Sequence, residues 1–269
     1  MIDADDRWEE TIAGAAELLG RFSIPLYHDD EQGRPVLFGT AFLVARAGAH
    51  FLVSAAHVLD QALETGLYFY GAPSTRVHVY GTLMRTSSLE QRASDLADVG
   101  VVKLHEDIRP PFREVDKFAV DASYLRPQYL PRSGRHYIIN GFPEKKSEVD
   151  RDAKSVTVTA YAYRSDPAGD GDYERMGLSQ EMHLVLPFNR KKGRDSHGRI
   201  SHFPKPHGMS GAPIFVLYEE SGDSRRGFPL VGIGIEYYEH KKLMVGTDIG
   251  VAIEGMDLLL AQSAAQLRP

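Results

Sequence analysis

The chain has 269 residues, 42% hydrophobic and 10% aromatic, enough to pack one large core or two small ones. With 37 acidic against 31 basic residues the net charge is −6, which argues against a general nucleic-acid binder, and the absence of cysteine excludes disulfides and suits a reducing compartment. The acidic start, Met1-Ile2-Asp3-Ala4-Asp5-Asp6, lacks the layout of a secretory signal, and no apolar run approaches the ~20 residues of a membrane span, so a soluble, cytoplasmic protein without membrane contact is expected.

Residues 5–20 carry a helical pattern, with Trp8, Ile12, Ala15, Ala16 and Leu19 on one face and Gly20 at the end. Short apolar runs then follow one another at 22–27, 36–45, 50–54, 67–70, 76–84 and 99–104, rich in valine, tyrosine and phenylalanine and separated by turn residues. No regular alternation with long helices interrupts them, so the pattern is all-β. Residues 105–135 contain Pro110, Pro111, Pro127 and Pro131 and read as a connector. A second series occupies 136–140, 155–163, 182–186, 212–218, 230–237 and 242–253. Two stretches within it, the glycine-rich 165–180 and the basic 189–207, read as surface loops. The tail 255–267 is helical by pattern, with Met256, Leu259, Leu260 and Ala264 along one side.

Three places carry chemistry. Gly208-Met209-Ser210-Gly211-Ala212-Pro213 bares a hydroxyl on a turn whose N–H groups could hold a negative oxygen. Singly, such a turn is more often only a turn. His57 ends Phe51-Leu52-Val53-Ser54-Ala55-Ala56-His57, and Asp98 opens Asp98-Val99-Gly100-Val101-Val102, with Asp95 as a rival acid. Alone, the histidine is more often structural and the aspartate more often closes a turn. Together they supply what a serine nucleophile needs: a neutral imidazole to take its proton and a carboxylate to orient the imidazole.

In that order, His57 then Asp98 then Ser210, the sequence resembles the chymotrypsin/trypsin-like serine peptidases, and among them the bacterial intracellular branch without disulfides, such as the high-temperature-requirement proteases. Ser54-Ala55-Ala56-His57 is similar to the family's Thr-Ala-Ala-His, the Asp98 strand to its aspartate-led strand, and the Ser210 turn to its Gly-x-Ser-Gly-Gly-Pro. Leu230-Val231-Gly232-Ile233 resembles the strand bordering the family's substrate cleft, and Gly250-Val251-Ala252-Ile253 the last barrel strand of bacterial members. The resemblance implies two six-stranded antiparallel barrels with the site in the cleft between them. The divisions are an N-terminal helix at 1–20, a first barrel at 21–122 carrying His57 and Asp98, a second at 123–254 carrying Ser210, and a terminal helix at 255–269. The backbone N–H groups of Gly208 and Ser210 are implied to form the oxyanion hole. Departures are Ala212 in place of a glycine and Met209 in place of the aspartate that binds a newly cut N-terminus, which removes the usual reason for processing. Counting back from Ser210 aligns Pro204 and Lys205 with the pocket floor, and Ile235, Glu236 and Tyr237 with its opposite wall, so no preference for arginine or lysine before the cut is implied.

Rival readings are weaker. An α/β-hydrolase would need His240 as its base and alternating strands and helices upstream, which are missing. His197, His202 and His207 have no compact metal-ligand spacing. A non-catalytic peptide-binding or regulatory module on the same fold is the serious competitor, and the presence of all three triad residues argues against it. The expectation is a serine endopeptidase acting on protein or peptide substrates, needing no metal or cofactor, and restrained by a regulatory partner or a closed resting site.

Overall fold

The computed structural model describes residues 14–128, 134–144, 147–150, 155–194, 200–217 and 228–266. Among these, two eight-stranded, almost wholly antiparallel sheets dominate. The first runs in the order β5(Thr75–His78), β4(Tyr68–Ala72), β1(Ser23–Asp29), β2(Pro35–Arg46), β3(Ala49–Ala55), β7(Val99–Leu104), β6(Gly81–Arg85), and β8(Ala119–Asp121) pairs in parallel with β2. The edge strands β5 and β6 are joined by two residues, which span roughly 10 Å at most. The two edges therefore meet, and the sheet curls into a barrel. The expected single run at 76–84 is thus two strands serving opposite edges. The expected connector at 105–135 contains β8, which adds to the first sheet.

The second sheet runs β13(His183–Pro187), β18(Leu243–Asp248), β17(Leu230–Tyr238), β16(Pro213–Leu217), β9(His136–Gly141), β12(Tyr161–Ser165), β14(Gly193–Arg194), β15(Ile200–Ser201). A separate hairpin joins β10(Ser147–Asp150) to β11(Ser155–Val158).

Apolar residues alternate between two destinations, as the two-residue period of a strand demands. In β2, Ala41 and Leu43 enter the first barrel's interior, while Phe42 and Val44 join the layer shared with the second sheet. In β16, Ile214 and Val216 fill the second barrel, while Phe215 and Leu217 face that same shared layer. Strands buried on both faces read as unbroken apolar runs, which is why these segments were legible as strands.

Helix α1 covers 14–20, and its Ala15, Ala16 and Leu19 are buried; the rest of the expected helix, with Trp8 and Ile12, lies outside the described residues. Helix α2(Ala56–Glu64) follows β3 directly, and α3(Asp170–Met176) interrupts the stretch expected to be a loop. Its Tyr173 is buried, and Gly177 ends it in the left-handed conformation. The last helix, α4(Ile249–Gln266), corrects the expected final strand. Gly250–Ile253 is helical, because the Asp248 carboxylate accepts the Gly250 N–H at 2.8 Å and caps the helix six residues earlier than the pattern suggested. Ile249, Ala252, Met256 and Leu259 then pack on the shared layer, and Arg46 grips Asp257 with two bonds of 2.8 and 2.9 Å. Among the described residues no helix is long and apolar enough to cross a membrane.

Candidate active site

His57 is the second residue of α2. The first turn of a helix leaves N–H groups without partners inside the helix, and the cap residue Ala55 offers no side-chain acceptor. Asp98 meets that need from the start of β7. Its backbone carbonyl accepts the Ala56 N–H at 2.8 Å, and its Oδ1 accepts the His57 N–H at 3.0 Å. The remaining oxygen, Oδ2, lies 2.5 Å from His57 Nδ1. A carboxylate only accepts, so Nδ1 carries the proton and Nε2 is left free as a base. One aspartate thus caps the helix and orients the imidazole. Its side chain is 13% exposed and that of His57 41%.

Asp98 itself sits at φ +43°, a left-handed conformation that aspartate tolerates. The rival Asp95 holds it there. Asp95 Oδ1 accepts the N–H groups of Ala97 and Asp98 at 3.1 and 3.0 Å, and Oδ2 accepts from Thr86, Ser87 and Arg92 at 2.6, 3.0 and 2.6 Å. Burial alone would raise the Asp95 pKa, but these donors outweigh it and keep the carboxyl below the usual range. Arg92 continues to Asp60 at 2.7 Å, where Arg85 also binds at 2.6 Å. Burial opposes ionisation of Asp60 too, and the two guanidinium groups overcome it. The second sheet braces the same loop: His183 Nε2 donates to the Leu96 carbonyl at 3.1 Å and the Thr247 hydroxyl to the Ala97 carbonyl at 2.6 Å.

The Ser210 turn is built from backbone. Gly211 has φ +89°, and a Cβ there would stand 1.9 Å from the Thr40 carbonyl oxygen and 2.1 Å from Ser54 Oγ. Only glycine fits. Gly208 has φ +90°, and its Cβ would approach the Phe142 carbonyl to 2.7 Å. The His207 carbonyl accepts the Glu144 N–H at 2.8 Å, and the Met209 carbonyl accepts the Ala212 N–H at 2.9 Å. In a trans peptide the N–H points opposite the C=O. The N–H groups of Gly208 and Ser210 are therefore turned the other way, and neither has an acceptor among the described residues. Met209 is buried, as an apolar residue and not as a salt-bridge partner. Ala212 fits because Gly141 lies opposite: a Cβ on residue 141 would be 2.9 Å from that of Ala212.

These pieces meet in a cavity of about 490 Å³ lined by His57 and Asp98 from the first barrel and Ser210, Ile235, Glu236 and Tyr237 from the second. The Ser210 hydroxyl donates to the Ile235 carbonyl at 3.2 Å. Pro204 and Lys205 are not among its lining residues: Pro204 is buried, and Lys205 turns to Glu239 at 2.8 Å. The wall instead includes Arg92, Leu96, Leu178, His207 and Tyr238, which no sequence motif places in the cleft. Leu96 and Arg92 arrive with the acid loop, and Leu178 with α3, so nothing local in the sequence marks them. Burial and the neighbouring Glu236 carboxylate push the Tyr238 phenol up to about 12. Of the three histidines weighed as metal ligands, His197 lies outside the described residues. Among the described residues no three metal-ligating side chains converge.

No protein-family model and no curated protein matches the chain. The solved VesB protease of Vibrio cholerae is similar in structure, with a TM-score of 0.54 at 16% identity over 89% of this chain. The chain spans 64% of the length of VesB. A Glu endopeptidase structure matches at a TM-score of 0.47 with 13% identity, covering 88% of this chain and 90% of that one. Tobacco etch virus protease matches at 0.44 with 12% identity, covering 87% and 75%. The likeness to VesB identifies the two curled sheets as a trypsin-like double barrel.

Proposed function

We propose that this protein is a serine endopeptidase in which Ser210 is the nucleophile, His57 the general base and then acid, and Asp98 the orienting carboxylate. The single observation that carries the reading is the meeting of an Asp98-oriented His57 and Ser210, from opposite barrels, in one cavity. Ser210 Oγ attacks the substrate carbonyl carbon while its proton passes to His57 Nε2. The negative oxygen that forms is held by the N–H groups of Gly208 and Ser210. Collapse expels the amine, which takes the proton from His57, and leaves an acyl-enzyme. Water then repeats the two steps and frees Ser210. The substrate class is an extended peptide or protein chain, and the absence of cysteine suits work in a reducing, cytoplasmic setting.

One observation favours the alternative of a peptide-binding module: the serine hydroxyl is engaged by the Ile235 carbonyl. In the enzymatic reading this is the resting contact, exchanged for His57 when substrate enters. Incubation with a denatured protein mixture, followed by mass-spectrometric detection of new N-termini, separates the two. The wild type is expected to generate them and Ser210→Ala to generate none. Retained binding of peptides with no new termini from the wild type would establish the module.

A further inference from the structure

The oxyanion hole needs two N–H groups aimed at one point, and these belong to the peptide units 207–208 and 209–210. Each is fixed by its own carbonyl, as described above. The unit between them, 208–209, sets the angle at which they converge. It is held at one end by the Met209 N–H, which donates to the Pro206 carbonyl at 3.0 Å. At the other end its carbonyl accepts from a side chain of the opposite barrel: Thr40 Oγ1 donates to Gly208 O at 2.7 Å.

Thr40 sits mid-strand in β2 and is fully buried. Every polar group it owns is engaged across the barrel interface or within the first barrel. Its hydroxyl accepts the Phe142 N–H at 3.1 Å, so the hydroxyl proton is committed to Gly208. Its backbone N–H donates to Ser210 O at 2.9 Å, and its carbonyl accepts from Ser54 Oγ at 2.6 Å. The carbonyls on both sides of Met209–Ser210 are thus gripped by one residue of the other barrel.

We infer that Thr40 is a positioning residue for the oxyanion hole: its hydroxyl locks the Gly208–Met209 peptide so that the Gly208 and Ser210 N–H groups converge. The inference rests on the serine-peptidase reading. It places the effect on the transition state, where the negative oxygen develops, and not on binding of the uncharged substrate. Thr40 touches no substrate atom in this account.

The test compares two pairs of variants that differ by the hydroxyl alone: wild type against Thr40→Val, and Thr40→Ser against Thr40→Ala. Steady-state kinetics on a peptide substrate give kcat and KM, and thermal melting reports folding. In each pair the hydroxyl-free member is expected to lose about 30-fold in kcat with KM changed less than twofold, below the loss for removing a direct oxyanion donor. Thr40→Ser should retain activity within about threefold of wild type. Equal kcat within either folded pair overturns the inference, as does a loss residing in KM. Collapse of all three variants overturns it too, by making Thr40 a packing residue. An inert, well-folded wild type instead defeats the peptidase reading itself.

Discussion

The two loops that meet in the cleft are built from different materials. The acid loop at 95–98 is held by charge and side-chain donors: Arg92 joins Asp60 to Asp95, five donors converge on Asp95, and Asp95 fixes the left-handed Asp98. The serine turn at 208–211 is held by backbone amides, two left-handed glycines and the neutral clamp of Thr40. Each is also braced from the opposite barrel, the first by His183 and Thr247, the second by Thr40. A histidine needs a charged partner to stabilise its protonated form, whereas an oxyanion hole needs fixed N–H dipoles with no competing acceptor. On the proposed serine-peptidase function the materials follow the chemistry, and the two loops should fail in different ways.

The largest expected effect comes from removing the orienting charge. Asp98→Asn leaves the shape but reverses the bond that sets the His57 tautomer, and kcat should fall by roughly 10⁴. Asp95→Asn disturbs the five hydrogen bonds on Asp95, and a loss of roughly tenfold is expected as the Asp98 backbone loosens. Kinetics on both variants give the ranking; an Asp95→Asn loss as large as that of Asp98→Asn would reassign the acid.

Gly211→Ala should break the other loop by sterics. A Cβ at 1.9 Å from the Thr40 oxygen, at φ +89°, cannot be absorbed without moving β2. A loss of at least about 3 kcal/mol, seen as a fall of roughly 10 °C in Tm, is expected and should not vary with pH. An unchanged Tm would mean that the turn is not seated as described.

Arg92→Met should show the opposite signature. Asp60 and Asp95 both have folded pKa values below their unfolded ones, so the stability they contribute is full above pH ~4 and is lost as pH falls through the folded values. The variant should be destabilised by about 2 kcal/mol at pH 7, with kcat/KM down roughly tenfold, and the stability gap should close toward pH 2–3. Denaturant titrations at several pH values check this, and a gap that widens on acidification would reverse the sign of the argument.

Much of this was legible in the chain because it is local. The three short motifs stand in contiguous residues, and strands buried on both faces announce themselves as apolar runs such as Phe51-Leu52-Val53 and Ile214-Phe215-Val216. What escaped is held by distant partners. Helix α2 begins at His57's neighbour because Asp98, 41 residues on, satisfies its first N–H groups. Gly250–Ile253 is the local exception: its strand-like composition hides a helix start that Asp248, two residues before Gly250, caps. Arg92 and Thr40 carry no motif: the role of Arg92 exists only once α2 brings Asp60 beside the acid loop, and that of Thr40 only once the two barrels are folded against each other. Nor does the sequence show that Lys205 pairs with Glu239, 34 residues away, or that Pro204 and Lys205 lie off the cavity that holds His57 and Ser210.

The account turns on Ser210 being an activated nucleophile, and covalent labelling tests that most directly. Wild-type protein treated with a fluorophosphonate, then digested and mapped by mass spectrometry, should carry one adduct, on Ser210. The adduct should be absent in Ser210→Ala and form far more slowly in Asp98→Asn. A folded wild type that takes up no label at Ser210, or labels equally fast without Asp98, would contradict it.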